Sequence, residues 1–96
     1  MSQYILLIHD NATSKAAPEE WDSFFDEAQA SGLFRGGSEI GERIVLGDSK
    51  SVLSSSHIVG YMRFDSDDKA RLLKLLQKHP VVAHGGSVEL CEMPKS

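Results

Sequence analysis

Leu33-Phe34-Arg35-Gly36-Gly37-Ser38-Glu39-Ile40 returns half a chain later as Val82-Ala83-His84-Gly85-Gly86-Ser87-Val88-Glu89-Leu90. Each Gly-Gly-Ser triplet follows a helix-like stretch and precedes a strand-like one. The recurrence predicts two βαβ-type halves in one small α+β domain. Glycines inside a strand pattern also predict a bulge or bend at Gly36-Gly37.

The elements around the triplets fit that plan. Tyr4-Ile5-Leu6-Leu7-Ile8 is a continuous apolar run. A strand that is apolar on both faces is covered on both faces. His9-Asp10-Asn11 ends it with loop-forming residues. Ala17-Pro18-Glu19-Glu20-Trp21 opens a helix, because proline at the first position needs no amide donor and glutamates suit the positive end of the dipole. Trp21, Phe24, Phe25 and Ala28 fall on one helical face, and Gly32 ends the helix in a left-handed cap. Residues 33–46 read as extended, and Gly47-Asp48-Ser49-Lys50 as a turn. His57 to Phe64 reads as a strand. Asp65 or Ser66 caps the next helix, whose apolar face is Leu72, Leu73, Leu75 and Leu76. His79-Pro80 stops it, and Ser87 to Met93 is the last strand. The order is β-α-β-β-α-β, the ferredoxin-like plan, over a single domain spanning residues 1–96. That plan puts both helices on one face of the sheet and leaves the other bare. A second copy is the expected cover, giving a homodimer of the dimeric α/β barrel type.

Composition narrows the function classes. The chain has 96 residues, a net charge of −4 and 25% charged side chains, the profile of a soluble globular protein. An acidic chain lacks the basic face that binds nucleic acid or anionic lipid, so neither partner is expected. The single cysteine, Cys91, points to a reducing compartment, and the short apolar start resembles neither a membrane span nor a signal peptide. The expected location is the cytoplasm.

Strand alternation sorts the chemistry-bearing residues. Ile58, Met62 and Phe64 are expected on the helix side, and His57, Val59, Tyr61 and Arg63 on the other. With Arg43 from strand two, and Glu89 and Cys91 from strand four, the bare face collects titratable groups in a partly enclosed space. Arg63 and Glu89 have the charges of an ion pair. His9-Asp10 is a second candidate, since an Asp that holds a His in one tautomer makes a usable base once the strand has ended. His79 reads as a helix C-terminal residue favoured by the dipole. With His84 it lacks the spacing of a metal pair, and no metal or cofactor motif stands elsewhere.

The start Tyr4-Ile5-Leu6-Leu7-Ile8-His9-Asp10, then Pro18-Glu19-Glu20-Trp21 and Ala30-Ser31-Gly32, resembles the YCII-related family. So do Gly60-Tyr61 and His79-Pro80 followed by Gly85-Gly86-Ser87-Val88-Glu89, so that the resemblance covers roughly residues 3–92. It implies a ferredoxin-like dimeric α/β barrel and small-molecule chemistry, which in some members is dehydrochlorination of aromatic compounds. Two departures stand out. An Asp-Gly-Pro-Phe-Ala-Glu-Thr-Lys-Glu signature in the nearest subgroup is replaced here by Val52-Leu53-Ser54-Ser55-Ser56-His57. The family's dyad pairs an Asp after strand one with a His of the first helix. Asp10 matches the first, while Pro18 to Ser31 contains no His. The expectation is therefore a lyase- or isomerase-type enzyme acting on a small anionic or aromatic metabolite, in a pocket on the open sheet face or at the dimer interface. In it Asp10, His57 and His9 handle protons, and Arg43, Tyr61, Arg63 and Glu89 contact substrate. The alternative is a non-catalytic metabolite-binding or protein-interaction module.

Overall fold

A computed structural model describes residues 1–95. The elements are β1 (Ser2–His9), α1 (Pro18–Ala30), β2 (Phe34–Glu39), β3 (Ile58–Ser66), α2 (Lys69–Leu76), α3 (Pro80–Ala83) and β4 (Val88–Met93). The four strands form one sheet in the order β2-β3-β1-β4, and every neighbouring pair is antiparallel. The result is a small α+β fold. Its Cα extents are 42 × 38 × 18 Å, and the short dimension is that of one sheet and one helix layer.

Alternation along β1 builds the core. Tyr4, Leu6 and Ile8 are buried while Ile5, Leu7 and His9 are only partly so. Leu6 packs in one cluster with Phe24 and Ala28 of α1, Met62 and Phe64 of β3, and Leu72 and Leu76 of α2. Both long helices thus cover the same face of the sheet, and burying the larger of these side chains contributes roughly 1.5–3 kcal/mol each. The other face holds Leu7 opposite Tyr61 and Glu89, and Ile5 opposite Arg63 and Cys91.

The helix ends follow their local chemistry. Ala17 has no side-chain oxygen to cap α1, so only half of a capping box forms: Ala17 N–H donates to Glu20 Oε2 at 2.7 Å. Gly32, at φ +74°, carries the chain out of α1. Asp68, and not the expected Asp65 or Ser66, caps α2 by accepting from Arg71 N–H at 3.1 Å, because β3 runs on to Ser66. His79-Pro80 does end α2, and Pro80 then starts the single turn of α3.

Four further expectations are corrected. The extended reading of residues 33–46 holds only to Glu39; residues 40–57 form a long loop, because Ile44, Val45 and Leu46 find no partner strand and stay exposed. Arg43 is therefore not on the sheet. Its guanidinium donates to the Ser55 and Ile58 carbonyls and closes the base of that loop. A register shift between Ile8 and His9 sets Ile58 opposite His9 and leaves Val59 as the extra residue of a bulge. Val59 consequently packs against the core instead of joining Tyr61, and Ile58 leaves the core face. His79 is not a charged C-terminal residue of α2 favoured by the dipole: it is fully buried and its side chain caps α3. The bulge foreseen at the first Gly-Gly pair is present. Gly36 has φ +106°, the register shifts between Phe34 and Gly37, and a Cβ on Gly37 would lie 2.3 Å from the Tyr61 carbonyl oxygen.

Candidate functional site

A cleft of about 1010 Å³ opens at the end of the sheet where β1 gives way to its loop. Its floor is the helix side of the sheet, with Ile8, Val59, Gly60 and Met62. Trp21 and Phe25 of α1 and Phe34 of β2 form an aromatic wall. Trp21 and Phe25 stack with ring centroids 6.1 Å apart, and Phe25 meets Phe34 at 6.1 Å. The apolar stripe of α1 is thus divided. Phe24 and Ala28 enter the core, while Trp21 and Phe25 face the cleft, which is why Phe25 remains 36% exposed.

The polar rim comes from residues 10–16 and from the end of α3. Two junctions fasten these segments. Asn11 Oδ1 accepts from Ser87 N–H at 2.8 Å, and Thr13 N–H donates to the His84 carbonyl at 2.9 Å. The second Gly-Gly pair permits this approach, since a Cβ on Gly85 would lie 2.6 Å from Thr13 Oγ1 and one on Gly86 would lie 2.9 Å from Asn11 Oδ1.

His84 is held at both ring nitrogens. Nδ1 lies 2.7 Å from Ser14 Oγ and Nε2 lies 2.8 Å from Glu20 Oε2. Glu20 also receives the Ala17 amide. That amide first, and His84 second, hold its carboxyl below the ordinary carboxylate range. A carboxylate on one nitrogen fixes the imidazole's orientation and tautomer, which leaves the other nitrogen facing a hydroxyl at the cleft.

Below this rim lies His79. Its Nδ1 accepts from Val81 N–H at 3.1 Å, so the neutral ring carries its proton on Nε2. Nε2 is buried without a hydrogen-bond partner among the described residues. The ring meets Trp21 and Phe24 edge-on at 5.1 and 4.8 Å, and burial pushes its pKa down to about 4. His79 is a neutral brace under the aromatic wall.

The expected site residues separate into two groups. Asp10 lies at the cleft, just beyond β1, and its amide donates to the His57 carbonyl at 2.8 Å. His9 borders the cleft but turns its ring to Glu89, with Nε2 to Oε1 at 2.6 Å, and so does not pair with Asp10. The His57 ring lies 5.4 Å from that of His9. Glu89 is taken by His9 and not by Arg63, which is exposed opposite Ile5. Tyr61 sits between the two regions, paired with Leu7 on the open face and bordering the cleft. Arg43 is spent on backbone carbonyls. Ser14, Glu20 and His84 were not expected together. Glu20 and Ser14 lie 64 and 70 positions before His84, and the one pointer to their meeting is the second Gly-Gly-Ser, which follows His84 directly. Among the described residues no three His, Cys, Asp or Glu side chains converge on a metal position, and no helix is long and apolar enough to cross a membrane.

No protein-family model, curated protein or solved structure matches the chain.

Proposed function

We propose that the chain is a ferredoxin-like, YCII-related protein whose cleft binds a small anionic or aromatic metabolite and moves a proton on it, as a lyase or isomerase does. The observation that carries this reading is the presence of Asp10 and a doubly held His84 on one aromatic-walled cleft of about 1010 Å³. A volume of that order suits a small-molecule ligand, with rings against Trp21 and Phe25 and polar groups toward the rim. Asp10 is the base and His84 the second proton carrier, the part first assigned to His57 or His9. Lys15, also at the cleft, meets an anionic group in place of Arg43. Two copies join through the open sheet face as a dimeric α/β barrel; half-buried Ile5 and Leu7 on that face support the pairing. The free Cys91 suits a cytoplasmic setting.

A thermal-shift screen against small aromatic acids, lactones and chlorinated quinols tests the reading. A ligand at a hundred times its Kd adds about 2.7 kcal/mol of stability. Stabilisation of the wild type that is lost in Asp10→Ala and His84→Ala, and kept in His57→Ala, is the expected outcome. A panel without any shift would retire the enzyme reading. The alternative, a protein-interaction module, then leads, and a separate feature favours it: Ile44, Leu46 and Leu53 of the long loop are 80%, 88% and 91% exposed.

A further inference from the structure

Proton transfer by His84 leaves one part of its surroundings unused. Ser14 is exposed, lies on the cleft and places its hydroxyl 2.7 Å from Nδ1, while Glu20 takes Nε2 at 2.8 Å. A hydroxyl, an imidazole and a carboxylate in sequence constitute an activated nucleophile whatever their order in the chain. The Ser14 contact is not needed to close the loop. Thr13 already donates both its amide and its hydroxyl to the His84 carbonyl, at 2.9 and 3.1 Å, and Asn11 holds Ser87.

We propose that Ser14 is an acyl-accepting nucleophile and that the cleft hydrolyses small carboxylic esters with an apolar or aromatic acyl group, an inference that rests on the cleft being a small-molecule site. Ser14 Oγ attacks the ester carbonyl carbon and its proton passes to His84 Nδ1. The carbonyl re-forms as the bond to the alkoxy oxygen breaks, and the alcohol leaves with the proton from Nδ1. Water then attacks the acyl-serine and gives its proton to His84. The acid is released as Ser14 Oγ recovers that proton, so ester and water become acid and alcohol. Glu20, accepting from Nε2–H, is a positioning residue that stabilises the imidazolium formed in each half. Lys15, beside Ser14 on the cleft, brings positive charge toward the developing oxyanion.

The test uses p-nitrophenyl acetate, p-nitrophenyl benzoate and diisopropyl fluorophosphate on the full chain, read by p-nitrophenolate release, intact mass and peptide mapping. The expected result is one adduct per chain, located at Ser14, absent in Ser14→Ala and formed about 100-fold more slowly in Glu20→Gln, with a changed pH profile for the acylation rate. Ser14→Ala keeps the wild-type melting temperature, since the residue is exposed. No adduct, or an adduct on another residue that Ser14→Ala leaves unchanged, overturns the proposal. If aromatic acids still raise the melting temperature of a wild type that is not acylated, the nucleophile alone is overturned and the binding cleft stands.

Discussion

Asn11 and Ser87 are joined twice: Asn11 Oδ1 accepts the Ser87 amide at 2.8 Å, and Asn11 Nδ2 donates to Ser87 Oγ at 3.1 Å. The pair ties the first loop of the chain to the second Gly-Gly-Ser triplet and so sets the rim of the cleft. Asn11→Ala removes both bonds. Because the junction is exposed, the expected cost is modest, about 1 kcal/mol. The effect on the rim is expected to be larger, with faster amide exchange from residue 11 to residue 15 and unchanged protection in the centre of β1. Hydrogen exchange followed by mass spectrometry checks both.

Buried His79 gives the protein an acid-sensitive brace. Its pKa in the folded state is about 4, against an ordinary value of 6.5, so the unfolded chain binds the proton more readily. The stabilisation from the neutral ring is complete above about pH 6.5 and is lost as pH falls toward 4, a change of up to about 3 kcal/mol. Glu20 and Asp48, whose carboxyls are held below their ordinary values of 4.5 and 3.8, contribute stability above those values and lose it only at lower pH. His79→Asn keeps an acceptor for the Val81 amide and cannot titrate. It is expected to be less stable at neutral pH but to show a flat melting temperature between pH 6.5 and 4.5, where the wild type declines.

The close strand approach at Gly37 predicts a sharp contrast between two glycines. An alanine Cβ at Gly37 meets the Tyr61 carbonyl oxygen at 2.3 Å and Met62 Cα at 2.9 Å, while one at Gly41 meets nothing within 4 Å. Gly37→Ala is expected to cost roughly 3 kcal/mol through displaced backbone. Gly41→Ala is expected to be neutral or slightly stabilising. Chemical denaturation of the two variants measures the difference.

Much of the scaffold was legible in the chain, and the failures have definite causes. α1 and α2 carry strong periodicities, β1 and β3 are apolar-rich runs, and Gly36-Gly37 carries its bulge. Ile44-Val45-Leu46 looks like strand by composition, yet a strand also needs a partner edge, and that is decided by tertiary pairing. The bulge at Val59 has no glycine or proline at its own position to announce it, so simple alternation misplaced Val59 and Ile58. Among the site residues, Asp10 was visible as the end of an apolar run. His84 was visible only as a member of an unsuitable metal pair, because its partners Ser14 and Glu20 belong to the other half of the molecule.

Arg43 supplies a test of the long loop. With its guanidinium on the Ser55 and Ile58 carbonyls, Arg43→Ala is expected to loosen residues 40–57 and cost roughly 1–2 kcal/mol. It is expected to leave the affinity for small anions unchanged. A large loss of binding would restore Arg43 as a substrate anchor.

The most direct measurement is a ¹H–¹⁵N NMR titration with small aromatic carboxylates, read at the indole of Trp21, the chain's one tryptophan, at the imidazole of His84 and at the amides of residues 10–16. The account predicts saturable shifts at all three, with Arg63 and Cys91 at the centre of the open sheet face unaffected. Shifts confined to that face, or none at millimolar ligand, would contradict it.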